Sequence, residues 1–395
     1  MKYAGIVDRL ARLGGAKWDV HLRARELAAQ GCDIIELTIG EPDVPTPEAL
    51  TDVAVDALRR GRTGYSNGPG EDNLRAALAR RYSYSMATRI GPERILCFPG
   101  TQTALFAVLM GLVETGDEVL VGDPMYATYE GVIRANGATM APVPLSPAHG
   151  FRIRAEDIAA RITPRSRAIL LNTPHNPTGA ILSREDLLAI GELARKHDLW
   201  IISDEVYEEL VFDGETFHSP LSIPELADRT VAVSSISKSH AAPGFRSGWA
   251  VGSADFAAQL LPLSETMLFG NQPFIADMTA VAVSERSEVA AGMRSRFAAR
   301  AARLNARLTA ESMLDVHAPK AGMFAMVNIE KTGMNGHDYA LDLLETNGVA
   351  VMPGSAFGAT LDGWVRVALT VDDSRFEMAC DQIVAHARQH AGEPA

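Results

Sequence analysis

The sequence predicts an α/β protein in which a mainly parallel sheet lies between helices and a smaller α+β domain completes the fold. Three observations lead there. From about residue 95 to 250, short apolar runs such as Ala168–Asn172 and Thr230–Val233 alternate with helical patterns, the order that builds parallel sheets. After Ser284 the composition shifts to an Arg/Ala/Glu-rich helix through Thr309, then to strand-like stretches over Gly322–Ile329 and Gly363–Leu369. The length of 395 residues, with 47% hydrophobic content, suits two domains or one large one. The large domain is expected over 48–285. The small one is expected over 1–47 and 286–395, discontinuous because the N-terminal arm packs with the C-terminal half.

Taken in order, residues 1–30 mix charged and apolar positions and read as a helical arm, with Leu22 and Leu27 at helical spacing. Ile34–Ile39 reads as a short strand. It runs into Gly40-Glu41-Pro42-Asp43-Val44-Pro45-Thr46-Pro47, where the prolines stop both strand and helix. A glycine at a strand end permits close approach of a ligand to the backbone, although an ordinary turn also uses one. Pro47–Arg60 reads as a helix. The turn Gly64–Gly70 leads to a second helix around Leu74–Leu78. Arg94–Phe98 is a strand, Pro99-Gly100-Thr101-Gln102-Thr103 a small-residue turn, and Ala104–Leu112 an apolar helix. Such a turn presents free backbone N–H groups to an anion, as many α/β proteins do. Glu118–Val121 and Ala168–Asn172 are further strands, the latter ending in Thr173-Pro174-His175-Asn176-Pro177-Thr178-Gly179. The helix Arg184–His197 then precedes the strand Leu199–Asp204. Asp204 stands at its C-terminal end, where open α/β sheets bind ligands.

The stretch Ser234–Trp249 follows the strand Thr230–Val233 and places Lys238 alone among small residues, eight positions before Arg246. Desolvation and a nearby cation both disfavour an ammonium, and a neutral amine is a nucleophile toward carbonyls. A solvated loop lysine is the alternative. Arg366, inside the apolar strand Gly363–Leu369, is costly to bury unless it meets an anion, which a structural salt bridge would also supply.

The net charge of −12 speaks against a nucleic-acid partner. The three cysteines, Cys32, Cys97 and Cys380, have no metal-ligand spacing, so no metal is expected and a reducing compartment is. The N-terminus lacks a signal-peptide core and no apolar run reaches membrane length, so the cytoplasm is the expected location.

Ser-x-Ser-Lys followed by Gly-x-Arg-x-Gly-Trp resembles the lysine signature of class I/II aminotransferases, fold type I enzymes that carry pyridoxal phosphate. The resemblance implies a seven-stranded, mainly parallel large-domain sheet. It implies that Lys238 holds the cofactor as a Schiff base and moves the substrate proton, with Ser235 and Arg246 at the cofactor phosphate. Further matches arrive in family order. Tyr65 falls on the tyrosine that crosses a homodimer interface to the neighbour's phosphate, and Gly100, Thr101 and Gln102 fall on the phosphate-binding amides. Tyr126 matches the ring stacked on the pyridine, with Tyr129 as its in-loop competitor. Asn176 and Tyr207 match the partners of the phenolic oxygen, and Asp204 the partner of the pyridine nitrogen. Gly40 and Arg366 fall on the positions that meet the substrate carboxylate.

The implied reaction is ping-pong transfer of an amino group from an L-amino acid to a 2-oxo acid, pyruvate or 2-oxoglutarate. Elimination or ring closure on the same site is the alternative within the fold. A non-catalytic cofactor-binding regulator is the alternative outside it. Thr101 and Thr266 stand where dicarboxylate-specific members carry a cation, which disfavours aspartate as donor. The arm Lys17–Ala24 looks similar to that of arginine–pyruvate transaminases: Trp18 is expected to stack on a planar cation and Asp19 to pair with it. A packing tryptophan and a helix-capping aspartate are the structural alternative.

Overall fold

A computed structural model of the chain describes residues 1–11, 13 and 16–390. Its strands are β1 (Ile35–Leu37), β2 (Ile95–Phe98), β3 (Glu118–Asp123), β4 (Thr139–Pro144), β5 (Ser166–Asn172), β6 (Trp200–Asp204), β7 (Thr230–Ser235), β8 (Gly248–Val251), β9 (Asp315–His317), β10 (Phe324–Asn328), β11 (Val349–Pro353) and β12 (Trp364–Ala368). Seven of them form one sheet in the order β2-β8-β7-β6-β5-β3-β4. Every pair from β7 to β4 is parallel, and β8 runs antiparallel to both its neighbours. The expected mainly parallel seven-stranded sheet between helices is therefore present. Its central strands are buried on both faces, which is why β5, β6 and β7 read as continuous apolar runs rather than alternations.

The other five strands form a second sheet, β1-β11-β12-β10-β9. β1, from the N-terminal arm, pairs in parallel with β11, Ile35 opposite Val349. The helix Glu288–Glu311 packs under this sheet through Met293, Phe297, Leu304 and Leu308.

Four strands escape the sequence reading. β8, Gly248–Val251, begins at the end of the Ser234–Trp249 stretch, which reads only as the lysine-bearing segment. β4 contains Pro142 and Pro144, which argue against a strand, but it is the edge of its sheet, where a missing N–H costs nothing. β9 has only three residues. β11, Val-Ala-Val-Met-Pro, lies in the stretch passed over between Gly348 and Gly358. In the arm, the helix Asp19–Ala29 buries Val20 and Ala24, whereas Leu22 is 55% exposed. The inward face is set by the four-residue spacing of Val20 and Ala24, continued by the partly buried Leu27.

Candidate active site

The parallel strands β5, β6 and β7 end side by side, with Asn172 opposite Asp204 in register. Beyond their C-terminal ends lies a cavity of about 280 Å³, lined by residues of both sheets: Lys238 and Asp204 from one, Phe324 and Arg366 from the other. After β7 the chain makes one helical turn, Ile236–Ser239, capped by the Ser235 hydroxyl accepting from the Ser237 N–H at 3.3 Å. That turn aims Lys238 into the cavity. Its Nζ donates to the Gly40 carbonyl at 2.6 Å. Burial pushes the Lys238 ammonium down to about 8. The Glu41 carboxylate works against this, and Arg366 and Arg246 add to it.

The Gly40 loop is fixed from two sides. Thr46 Oγ1 donates to the Ala241 carbonyl at 2.5 Å, next to the lysine turn. Asp43 accepts from Arg296 at 2.9 Å and from the buried Arg300 at 2.7 Å, both on the helix Glu288–Glu311. These two arginines read in the sequence only as part of a charged helix, since their partner lies more than 250 positions away.

At the cavity floor, Asp204 is fully buried. Burial lifts its carboxyl to about 6, opposed by hydrogen bonds from the Tyr129 hydroxyl at 2.7 Å and the Val206 N–H at 3.2 Å. Tyr129, the in-loop competitor for stacking, donates to Asp204; both it and Tyr126 line the cavity, their rings edge-on at 5.5 Å. Asn176 Nδ2 points to the Tyr207 hydroxyl at 3.5 Å, and burial raises the Tyr207 phenol.

Arg366, on β12, is buried. Its Nη2 donates to the Thr38 carbonyl at 2.5 Å and its Nη1 to Asn176 Oδ1 at 3.1 Å. The guanidinium carbon lies 3.9 Å from the Phe324 ring centre and 4.4 Å from that of Phe357. Nε has no partner, and among the described residues no carboxylate comes within ion-pair distance. Burial lowers its pKa to about 10. A cation so placed, with neutral acceptors only, is prepared for an anion from outside.

A second anion cradle lies at the start of the helix Thr101–Leu112. Gly100 there has φ +88°, and a Cβ on it would stand 2.2 Å from Arg246 Nη2. Only glycine fits that close approach. Thr101 Oγ1 is buried without a partner. Arg246, in the left-handed region at φ 50°, makes side-chain hydrogen bonds, among the described residues, only to the carbonyls of Pro243 and Pro99. Helix N–H groups, an unpartnered hydroxyl and a guanidinium with no counter-charge together suit a phosphate. Gln102 lines the same wall, its Oε1 accepting from Thr128 at 3.1 Å.

Two expected site residues stand elsewhere. Asp19 does not line the cavity. It opens its helix on the solvent side because Val20 and Ala24 take the inward face, and its carboxylate lies 3.9 Å from His337 Nε2; it caps nothing. Tyr65 is 94% exposed and stacks edge-on with the exposed Phe269 at 5.8 Å, outside the cavity of its own chain. Trp18 does line the cavity. Its ring packs edge-on to His21 at 6.2 Å, and His21 Nδ1 lies 3.0 Å from Thr38 Oγ1, which ties the arm to the residue whose carbonyl holds Arg366.

An amine made reactive by burial, set opposite a carboxylate-seeking arginine at a sheet's C-terminal edge, is the arrangement of an amino-group transferase. The chain belongs to the class I and II aminotransferases, whose family model matches residues 32–383, and members of that family use pyridoxal phosphate. It is 41% identical to an arginine–pyruvate transaminase of Pseudomonas aeruginosa over the full length of both chains. It is 32% identical to a probable aspartate/prephenate aminotransferase of Aquifex aeolicus, over 94% of this chain and 95% of that one. Among solved structures, a Thermus thermophilus aspartate aminotransferase double mutant superposes with a TM-score of 0.91 at 30% identity, covering 98% of this chain and 100% of the other. The chain is an aminotransferase.

Proposed function

We propose that the protein binds pyridoxal 5′-phosphate and transfers the amino group of a non-acidic L-amino acid, arginine foremost, to pyruvate or 2-oxoglutarate. The observation that carries this reading is that one cavity holds both Arg366, a buried cation without an anion, and Lys238, an amine whose charge burial disfavours. Lys238 would hold the cofactor covalently through Nζ. Gly100, Thr101, Gln102, Ser235 and Arg246 would hold its phosphate, where Thr101 Oγ1 waits unpartnered. Tyr126 would cover its ring, Asn176 and Tyr207 would bind its phenolic oxygen, and Asp204 would face its ring nitrogen. Bound there, the cofactor supplies an electron sink for the pair left when the substrate Cα loses its proton.

The remaining work falls to the chain itself. Arg366 grips the substrate α-carboxylate through paired N–H groups and so sets the direction of Cα. Lys238 Nζ, neutral for a large fraction of the time near pH 8, takes the Cα proton and returns it. Phe324 and Phe357 exclude water from the ion pair so formed.

Trp18 in the cavity wall and the 41% identity to the Pseudomonas relative support a planar cationic side chain in the donor. Of the cations that line the cavity, Lys238, Arg246 and Arg366 each have a task already, which disfavours aspartate; Thr266 lies outside, bonded to its own helix at the Pro262 carbonyl. With Asp19 outside as well, a second reading gains support from the apolar wall of Ile39, Leu105 and Met352: an aromatic or aliphatic donor. The reading extends to a cytoplasmic homodimer in which Tyr65 reaches the partner's site, and to a large domain over 48–285 with a small one over 1–47 and 286–395.

The test is kcat/KM for arginine, phenylalanine and aspartate, each with pyruvate and 2-oxoglutarate, together with borohydride reduction and peptide mapping. Arginine is expected to exceed aspartate at least tenfold, with reductive labelling at Lys238. Aspartate outpacing arginine, or labelling at another lysine, overturns the reading. For the assembly, a fully active monomer in the ultracentrifuge does so.

A further inference from the structure

Far from the cavity, the C-terminal helix Asp373–Gln389 carries His386 on its last turn, and His390 caps its end. Four residues apart, the two imidazoles stand on one helix face. Both turn toward Asp342 on the neighbouring helix Gly336–Asn347: His386 Nε2 lies 2.8 Å and His390 Nε2 3.2 Å from Asp342 Oδ2. One ligand atom from each residue falls within 4.8 Å of the others.

We propose that Asp342, His386 and His390 form a binding site for a divalent transition-metal ion, of the Zn²⁺ class, that clips the C-terminal helix to the helix Gly336–Asn347. Two imidazoles and a carboxylate are borderline ligands, which suit Zn²⁺, Ni²⁺ or Cu²⁺ better than Mg²⁺ or Ca²⁺. Bonds of about 2.0–2.1 Å in tetrahedral array set neighbouring ligand atoms roughly 3.3 Å apart, close to the two separations already present. The ion would replace the shared hydrogens between imidazole and carboxylate, the two imidazole nitrogens closing to that spacing from within 4.8 Å of each other.

His386 is itself prepared for this. The ring is fully buried, perpendicular to Tyr339 at a centroid distance of 4.7 Å, and so is fixed in orientation. Its Nδ1 is buried with no hydrogen-bond partner. Among the described residues no acceptor or donor commits that nitrogen to one tautomer, so the proton can reside there while Nε2 gives its lone pair to a metal. His390 and Asp342 are partly exposed, which leaves an entry path and room for water at the remaining coordination position.

The experiment uses untagged, full-length protein stripped with a chelator, titrated with Zn²⁺ alone and followed by calorimetry and by thermal unfolding. Wild type is expected to take up one Zn²⁺ per chain and to unfold at a higher temperature with Zn²⁺ than with chelator. His390→Ala and Asp342→Asn change groups at the surface of the site. Each is expected to fold and to lose at least tenfold in Zn²⁺ affinity, the least effect expected when a ligand is removed. Transaminase activity should stay unchanged in both, since neither residue approaches the cavity. Wild type without stoichiometric uptake, or uptake and thermal shift retained in either variant, overturns the proposal.

Discussion

The amine of Lys238 donates its hydrogen bond to the carbonyl of Gly40 at 2.6 Å, a contact that links the two sheets at the cavity, as the Arg366–Asn176 bond also does. Lys238 follows β7 of the seven-stranded sheet, and Gly40 follows β1 of the five-stranded one. The buried amine is thus held by the loop that follows β1, and the loop is anchored in turn by Asp43 on Arg296 and Arg300.

Gly40 also packs under Phe324. A Cβ there would stand 2.2 Å from the ring's Cζ and 2.8 Å from its Cε1, so the ring must move, and with it the surface on which the Arg366 guanidinium rests. Gly40→Ala is expected to raise KM for the amino donor by about tenfold to a hundredfold through misplacement of Arg366, the proposed carboxylate clamp. The cofactor absorbance should remain, because no phosphate-binding residue is touched. A donor KM equal to that of wild type would show that the ring yields without disturbing Arg366.

Lys238 loses its proton early because burial removes water from the ammonium, with Arg366 and Arg246 adding repulsion. In the cofactor-free protein, its rate of modification by a trace acylating reagent should rise with a midpoint near pH 8, against about 10.4 for a free lysine side chain. Arg366→Met removes a cation that favours the neutral amine, so its midpoint should move to higher pH. Peptide mapping of the label gives both curves. Superposed curves for wild type and variant would exclude Arg366 as a contributor.

Tyr129 holds down a carboxyl that burial pushes up. Its hydroxyl lies 2.7 Å from Asp204, whose carboxyl sits at about 6. In Tyr129→Phe the carboxylate loses a donor, its pKa rises, and a larger share is neutral at pH 7. The acid limb of cofactor binding to the stripped protein, read by fluorescence across pH 5–8, should therefore shift to higher pH, with affinity at pH 8 or above much less affected. An unmoved acid limb would mean that Asp204 does not govern it.

Most of this site could be read from residue order, for a physical reason: strand, small-residue turn and helix are local patterns, and Lys238, Asp204, Asn176 and Gly100 sit where such patterns end. What escaped was set by partners distant in sequence. Nothing near Tyr129 announces Asp204, 75 positions on, and nothing near Arg300 announces Asp43, 257 positions back. Asp19 failed for a related reason. Its neighbours fixed the helix, but the burial of Val20 and Ala24 decided which way the carboxylate turned. In the fold, β4 and β9 were hidden by prolines and by length, while the long buried strands were plain.

Glu205, next to Asp204, is fully buried. Its Oε1 accepts from Ser219 at 2.7 Å, and its Oε2 has no partner. Burial lifts its pKa to about 8, and the Glu208 carboxylate adds to that. The folded chain therefore keeps a proton that the unfolded chain, with a glutamate pKa of about 4.3, has already released. Raising the pH from about 4.3 toward 8 favours the form that binds fewer protons, so this group's contribution to stability falls across that window. The slope approaches about 1.4 kcal/mol per pH unit. Glutamine keeps the shape and an oxygen for Ser219, and it does not titrate. Relative to wild type, Glu205→Gln should gain about 2 kcal/mol between pH 5.5 and pH 7.5, measured as the change in unfolding free energy in urea at the two pH values. A difference between the two proteins that stays constant with pH, or shrinks as pH rises, would mean that Glu205 is ionised in the fold.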